Sequence, residues 1–374
     1  MSEQKIGNWE AIALVLTIIM NHVILELPKD IIQTTSSASI INVIFISFIA
    51  LIIVYLISNL LKKFPGLDIF DISKFLGGSW LKIIICILFL CYILFTISTL
   101  IRSFSEILKV IFFPRTPLAI IMLLFFICVV VVNKLKFKAL ARANLFFTIL
   151  VLINLVFIFL GNLDNFTWER IYPILGNGAY TTFFSGLSNL YAFGGISYLY
   201  LVPPYLKSQK DFKNVAFISI GISAFCLLIS VATLLFMFPP VITSQQIFSM
   251  YLVARFIEFG TFFQRIDAVF LLVWLLSILC YLSFAFYFVT VIFKKLTNIK
   301  STKWCTSLFT LFSFGIALLP RNMQQVSALE NDVYKHIILI LIFIISLGVL
   351  VFANIKRMYM DKKKGAFKID EKLY

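Results

Sequence analysis

The residues of this sequence best suited to chemistry are polar or conformationally permissive ones set inside strongly apolar stretches. The run from Phe184 to Leu206, FSGLSNLYAFGGISYLYLVPPYL, is apolar enough for a lipid bilayer, yet Gly194 and Gly195 interrupt it and a Pro-Pro pair closes it. Adjacent glycines leave a helix weakly specified and let another group approach the backbone. Unpaired backbone groups at that depth persist only facing protein or a water-filled cavity. The pattern therefore predicts a buried site that holds a ligand by hydrogen bonds.

Polar side chains surround this predicted break. The candidate ligand contacts on the run are Ser188, Tyr191, Gly194, Gly195 and Tyr198. Ser185, Asn189 and Ser197 complete a polar rim around them.

The first apolar stretch has a similar interruption. Asn21 and His22 break it, and the sequence Ile24-Leu-Glu-Leu-Pro28 closes it much as LYLVP closes the later run. The closing prolines are 175 residues apart, about half the chain. Interrupted apolar segments at matching places in two halves indicate a midplane substrate site in inverted-repeat transporters. We therefore add Asn21, His22 and Ile24 to the candidate ligand contacts, the alternative being two ordinary proline-ended membrane helices.

Tyr92, Thr96 and Thr99 form a polar stripe on a third predicted helix. Their spacing of i, i+4 and i+7 places them on one helix face, where they could meet the same ligand. The alternative is helix packing, with the hydroxyls bonded to a neighbouring helix or to their own backbone.

Charged residues near the ends of predicted membrane helices form a second class of candidates. Arg102 and Glu106 are four residues apart and can pair on one helix face. We expect structural or coupling roles for Glu26, Arg102, Glu106, Arg265, Asp267 and Trp274. Glu26 is the nearest of them to a predicted break, and its role stays open.

Composition excludes a soluble domain. Hydrophobic residues make up 61% of the 374 residues, charged residues only 13%, and the mean hydropathy is +1.02. Six cysteines lie scattered without CxxC spacing, and the two histidines belong to no metal or hydrolase motif. We expect neither enzyme activity, nor a cofactor, nor a bound metal.

The hydropathy pattern predicts an all-α polytopic membrane protein of about ten transmembrane helices. They lie at about 9–34, 39–61, 80–112, 117–134, 141–161, 182–206, 212–238, 266–293, 304–320 and 335–356. We predict one permease-like domain, 1–374, with halves at about 9–161 and 182–356 and a cytoplasmic tail at 357–374.

The distribution of charge sets the predicted orientation. With both termini in the cytoplasm, 23 of the 32 Lys and Arg residues face inward, as the positive-inside rule requires. The net charge of +15 is thus explained by contact with anionic membrane lipid, and nucleic acid is not expected as a partner.

The ordered motifs along the chain resemble those of the spore germination permease family, the B subunits of Ger-type nutrient germinant receptors in the amino acid–polyamine–organocation superfamily. The motifs are Arg102-Ser-Phe-Ser-Glu106, Pro114-Arg-Thr-Pro117, Phe193-Gly-Gly195, Pro203–Lys210, Arg265-Ile-Asp267 with Trp274, and Pro320-Arg-Asn322. Relatives usually carry a glycine-rich break in the first helix, where this chain has Asn21, His22 and Val23.

The resemblance implies a LeuT-like 5+5 inverted repeat with interrupted helices 1 and 6. It also implies the inner membrane of a spore, an A subunit and a lipoprotein C subunit as partners, and a small germinant such as an amino acid as ligand. Gly194, Arg265, Asp267 and Trp274 match family positions. A secondary amino acid transporter, proton- or sodium-coupled, is the alternative function, and a scaffold with a vestigial pocket is a third.

Overall fold

The fold is a bundle of helices, given by a computed structural model that describes residues 5–23, 27–246, 249–257, 266–299, 304–330, 333 and 335–370. The α-helices are α1 Asn8–Val23, α2 Leu27–Thr35, α3 Ser39–Leu61, α4 Ile69–Ile111, α5 Leu118–Val132, α6 Phe137–Gly161, α7 Phe212–Met237, α8 Pro240–Gln245, α9 Ser249–Arg255, α10 Ile266–Thr297, α11 Cys305–Leu318, α12 Met323–Leu329, α13 Lys335–Leu339 and α14 Leu347–Asp370. A π-helical stretch, Ile340–Ser346, joins the last two.

The sixth predicted helix is irregular along its whole length. It consists of a π-helical turn, Tyr180–Phe184, a 3₁₀ helix, Ser185–Tyr200, and a short 3₁₀ turn, Pro203–Tyr205. We call residues 180–205 the broken segment. Long 3₁₀ stretches are uncommon because their hydrogen-bond geometry is poor, and within a helix they often mark a functional site.

The first helix and the broken segment form the centre of the bundle. Residues 11–21 of α1 are all buried, as are residues 189–203 of the broken segment. α1 packs against α6, α7, α10 and the broken segment, so protein surrounds it on every side. A helix that is hydrophobic all round belongs in such a position.

A main-chain tie joins these two central elements at one end of the bundle. The Ile6 amide donates to the Tyr205 carbonyl at 2.9 Å, and Ile6 and Leu206 form an isolated parallel bridge. The start of α1 is thereby fixed to the last turn of the broken segment.

Helices of membrane-spanning length account for the rest of the bundle. By length and composition, residues 27–61, 69–111, 137–161, 212–237, 266–297 and 335–361 are each able to cross a bilayer, and Asn8–Asn21, Leu118–Val132 and Cys305–Leu318 are shorter apolar helices. With the broken segment, these helices accommodate the ten predicted spans.

Helix α4 begins well before residue 80, where the hydropathy pattern placed it. Asp68 caps the new start, since its carboxylate accepts from the amides of Phe70 and Asp71, each at 3.1 Å. The helical path turns sharply at Gly77 and at Gly78, whose φ of +73° favours glycine. Residues 69–76 therefore form a short helix of their own at the basic end of the bundle, where Lys62, Lys134 and Lys356 also lie.

Lysines hold this short helix at both ends. Lys295 of α10 pairs with Asp68 at 2.6 Å and with Asp71 at 2.7 Å. Lys356 of α14 donates to the carbonyls of Phe75 at 2.8 Å and Leu76 at 2.9 Å. Burial raises the pKa of Asp68 to about 6, against the opposing attraction of the Lys295 ammonium.

Two further boundaries differ from those read off hydropathy. The stretch after α7, which lies between two predicted membrane helices, contains the short helices α8 and α9. Pro239 and Pro240 stand where α7 ends and α8 starts. The last helix does not end near residue 356 but continues to Asp370, so most of the predicted tail is helical.

Candidate functional site

The break in the broken segment lies beside the glycine pair, as the sequence predicted. Phe193 leaves the helical conformation (φ −92°, ψ 24°) immediately before Gly194. The Ser197 hydroxyl donates to the Gly194 carbonyl at 2.8 Å, and the Tyr92 hydroxyl lies 3.5 Å from the same oxygen. Ser197 is also 3.3 Å from the Tyr92 hydroxyl. These three residues form a small polar cluster at the centre of an apolar bundle, which we call the Gly194 cluster.

Gly195 sets the distance between the broken segment and α1. A Cβ atom at this position would lie 2.4 Å from Cγ1 of Ile19 and 3.1 Å from the Ile19 backbone nitrogen. Real Cβ atoms do not approach side chains that closely, so any larger residue would push the two elements apart. The glycine pair thus has two functions: Gly194 presents a carbonyl group, and Gly195 permits close contact.

Asn21 belongs to the helix and does not interrupt it. The prediction that Asn21 and His22 break the first helix is wrong in place, because α1 continues to Val23 before α2 begins at Leu27. The Asn21 amide donates to the Thr17 carbonyl at 2.7 Å, within the helix, and to the Ser277 hydroxyl of α10 at 3.1 Å. Its Oδ1 has no hydrogen-bond partner among the described residues.

Other residues predicted to belong to the first break fall outside what the structure describes. Ile24 and Glu26 are not among the described residues, and for His22 only the backbone is described. Their predicted roles remain predictions.

Thr17 extends the polar contacts of α1 to α6. Its hydroxyl donates to Oδ1 of Asn144 at 2.8 Å and lies 3.0 Å from the Thr148 hydroxyl. All three side chains are buried. Sequence reasoning missed this contact, although Asn144 and Thr148 are spaced i, i+4 in a predicted membrane helix, a pattern that marks a polar helix face.

The polar stripe on α4 divides into one residue that reaches the break and two that do not. Tyr92 joins the Gly194 cluster. Thr96 and Thr99 donate to carbonyls of their own helix, those of Tyr92 at 2.9 Å and Thr96 at 3.3 Å. The alternative of backbone-bonded hydroxyls therefore describes both threonines.

Tyr191 links the broken segment to α2 on the side away from the basic end. Its hydroxyl donates to the Asp30 carboxylate at 2.8 Å, and the Lys335 ammonium of α13 lies 4.7 Å from the centre of its ring. Asp30 is only 9% exposed, so its carboxylate depends on such donors. Asp30 was missed because a lone aspartate after Pro28 and Lys29 resembles an interfacial charge.

The remaining candidates on the broken segment lie on opposite sides of the break. Ser188 is half-buried and donates to the Ser185 carbonyl at 2.7 Å, one helical turn away from Tyr191. Tyr198 is fully buried, and its ring packs edge-on against Phe288 with centroids 5.5 Å apart.

The charged candidates form separate contacts away from the break. Arg102 pairs with Glu106 at 2.9 Å, as their spacing predicted, and also donates to the Ala317 carbonyl of α11 at 3.4 Å. Asp267 accepts from the Tyr251 hydroxyl of α9 at 2.9 Å. Arg265 lies outside the described residues.

Trp274 is buried at 1% exposure and packs on Phe270. Its indole N–H has no hydrogen-bond partner within the described part of the chain. The position is thus deep in α10, and the structural role predicted for it stays a prediction.

Comparison with known proteins places this arrangement in a family. The sequence profile described as spore germination protein matches residues 5–326. Spore germination protein A2 of Bacillus subtilis (strain 168) is 23% identical over 371 residues, covering 96% of this chain and 98% of that protein.

Solved structures show which fold this is. A Na⁺-coupled sialic acid symporter in a substrate-bound, outward-open state superposes with a TM-score of 0.66 at 10% identity, covering 92% of this chain and 80% of that one. MhsT in complex with L-phenylalanine superposes with a TM-score of 0.65 at 12% identity, covering 94% of this chain and 99% of that one. The fold is that of the LeuT-like transporters, as the family resemblance of the motifs implied, and the chain is an integral membrane protein.

Proposed function

Because the chain belongs to the spore germination protein family, we propose that it is the permease-like membrane subunit of a nutrient germinant receptor. In this role it binds a small germinant such as an amino acid in the centre of the bundle. The signal that the germinant is bound is passed to partner subunits, an A subunit and a lipoprotein C subunit, and this signal starts germination. The chain binds and signals, and it catalyses no reaction.

The observation that carries this proposal is the Gly194 cluster. A carbonyl and two hydroxyl groups, from Gly194, Tyr92 and Ser197, converge where the helix is broken. At this depth, hydrogen-bonding groups freed from a regular helix are the groups that recognise a polar ligand. Their mutual hydrogen bonds keep them satisfied without ligand, and a ligand carrying a donor and an acceptor can replace those bonds.

The charge distribution supports the orientation that we propose for the chain in the inner membrane of the spore. The basic end of the bundle corresponds to the cytoplasmic side, and three tryptophans there are largely exposed: Trp9 at 66%, Trp80 at 80% and Trp304 at 84%. Tryptophan is enriched at membrane–water interfaces, and lysine and arginine are enriched on the cytoplasmic side. These features support the proposal that both termini lie in the cytoplasm.

A matched pair of tyrosine variants tests the binding site. Tyr92→Phe removes the hydroxyl of the Gly194 cluster but keeps the ring, whereas Tyr359→Phe removes the hydroxyl of a side chain that is 71% exposed. A net hydrogen bond is worth ~0.5–1.5 kcal/mol, so we expect Tyr92→Phe to raise the half-maximal germinant concentration roughly two- to tenfold. Tyr359→Phe should leave it unchanged.

The measurement is a germination dose–response in spores that carry each variant, with immunoblots to establish equal abundance. A normal response of Tyr92→Phe at normal abundance would show that the Gly194 cluster is not part of the binding site. Unchanged germination after deletion of the gene would show that the protein is not a germinant receptor subunit.

A secondary amino acid transporter is the second candidate, and the fold shared with a Na⁺-coupled symporter favours it. Uptake of labelled amino acids into proteoliposomes separates the two functions. Sustained accumulation that depends on an ion gradient identifies a transporter, whereas saturable binding without accumulation identifies a receptor.

A further inference from the structure

A groove between α5 and α11 lies apart from the central site. Its volume is about 300 Å³. Its lining is apolar except for two hydroxyl groups, and consists of Leu123, Phe126, Ile127, Val130, Val131, Ser307, Thr310, Leu311 and Phe314.

The groove opens toward the membrane. Leu123, Ile127 and Val131 on one wall are 47%, 52% and 56% exposed, and Leu311 on the other is 70% exposed. Both walls belong to helices that carry no charge within their apolar stretches. Bilayer lipid is therefore in direct contact with this groove.

The helical spacing of the two walls leads to a basic and aromatic mouth. On α5 the lining ends at Val131, and Lys134 follows it in the turn just beyond the end of the helix, where it is exposed. On α11, Ser307 and Leu311 are preceded on the same face by Trp304, which is 84% exposed. One end of the groove thus carries an ammonium group and an indole ring at the basic end of the bundle.

We propose that this groove binds one acyl chain of a bilayer phospholipid whose anionic headgroup pairs with Lys134. Residues 131–143 contain four lysines and arginines and no acidic residue, so the mouth attracts negative charge. Basic pockets between membrane helices on the cytoplasmic side are suited to anionic headgroups.

The surroundings of the groove favour a lipid chain as its occupant, because its walls are exposed on apolar helices and basic residues follow the end of α5. The lining residues extend over about two turns of each helix, roughly 12 Å. A single hydrocarbon chain fits that space. This site is independent of the germinant site, and it makes the protein sensitive to the lipid composition of its membrane.

The test uses the purified full-length chain in nanodiscs that contain equal amounts of phosphatidylglycerol and phosphatidylcholine. Native mass spectrometry after release from the nanodiscs counts the lipids that stay bound. We expect the wild-type chain to retain phosphatidylglycerol in preference to phosphatidylcholine.

Two variants with matched controls locate the lipid. Ser307→Phe fills the groove, whereas Leu308→Phe adds bulk to a neighbouring position on α11 that is 58% exposed and not part of the lining. Lys134→Gln removes the headgroup contact, whereas Lys62→Gln removes an exposed lysine at the end of α3. Retention should fall to background for Ser307→Phe and about fivefold for Lys134→Gln, since a lysine near an anionic surface contributes ~1 kcal/mol. Both controls should behave like the wild type.

Three outcomes overturn the proposal. Equal retention of the two lipids shows that the headgroup is not recognised. Wild-type retention by Ser307→Phe places the lipid elsewhere. Loss of the lipid from a receptor complex purified with its partner subunits shows that a partner helix occupies the groove.

Discussion

The close contact at Gly195 gives the sharpest prediction. Gly195→Ala adds one methyl group, 2.4 Å from Cγ1 of Ile19, more than 1 Å inside the ~3.5–4.0 Å at which carbon atoms meet favourably. Relief by movement of the side chain is limited, because the Ile19 backbone nitrogen is itself only 3.1 Å away. Overpacking of this kind costs ~1–3 kcal/mol. We therefore expect a roughly 5- to 160-fold shift away from the arrangement in which α1 and the broken segment touch.

Two measurements follow from this shift. The midpoint of thermal denaturation of the purified chain should fall, and the germination dose–response should change at equal receptor abundance. Gly221→Ala is the matched control, because a Cβ atom at Gly221 meets nothing within 4 Å. Alanine is also the better helix former there, by up to about 1 kcal/mol.

A double variant tests whether the cause is the contact itself. Ile19→Ala alone should destabilise by ~2–5 kcal/mol through the cavity that it leaves. In combination with Gly195→Ala it removes the atom that clashes, so the double variant should be less destabilised than the sum of the two single changes by ~0.5–3 kcal/mol. Strict additivity, or a Gly195→Ala chain that denatures like Gly221→Ala, would refute the reasoning.

Three further predictions concern charged groups. Asp68 has a folded pKa of about 6 against an ordinary value of 3.8, so its contribution to stability is fully present below pH 3.8 and is lost as the pH rises through 6; Asp68→Asn should therefore flatten the change in denaturation midpoint between pH 5 and pH 7.5. Glu106→Gln leaves the buried Arg102 guanidinium with a weaker partner and should lower the denaturation midpoint, whereas Arg102→Met combined with Glu106→Leu should recover most of the loss. Tyr191→Phe removes a hydrogen bond to the Asp30 carboxylate, worth ~1.5–3 kcal/mol, and should shift the germination dose–response without lowering abundance as far as Glu106→Gln does.

Each of these expectations has a result that contradicts it. A pH profile of Asp68→Asn that matches the wild type would show that another group titrates. A denaturation midpoint of the Arg102→Met, Glu106→Leu double variant that is lower than that of Glu106→Gln would show that the ion pair is itself stabilising. An unchanged dose–response of Tyr191→Phe would separate its contact with α2 from the response to germinant.

Those parts of the fold that depend on local sequence were predictable. Long apolar runs fixed the membrane helices, and the glycine pair located the break of the sixth helix to within a residue of Phe193. The spacing of Arg102 and Glu106 predicted their pairing, because residues four apart share a helix face.

Contacts between distant segments were harder to predict. Asn21 was read as a break because a polar side chain in an apolar run has the same sequence signature whether it interrupts the helix or bonds to a neighbouring one. Only the tertiary structure shows that Ser277 lies beside it, 256 residues away in the chain. Asp30 and Tyr191 are separated by 161 residues, and nothing local to Asp30 indicates its partner.

The short helix of residues 69–76 was missed for a related reason. Its length and mixed composition carry no membrane signal, and what holds it in place comes from Lys295 and Lys356, far along the chain.

The main-chain tie between Ile6 and Tyr205 joins α1 to the broken segment at the basic end of the bundle. Since the donor and the acceptor are both peptide groups, the strength of this hydrogen bond depends little on the side chains at the two positions. Alanine substitutions would therefore not reveal it. Proline at position 6 removes the donor N–H. While the link holds, α1 and the end of the broken segment move together, so any ligand that shifts one of them must displace both, and the basic end of the bundle moves as one unit.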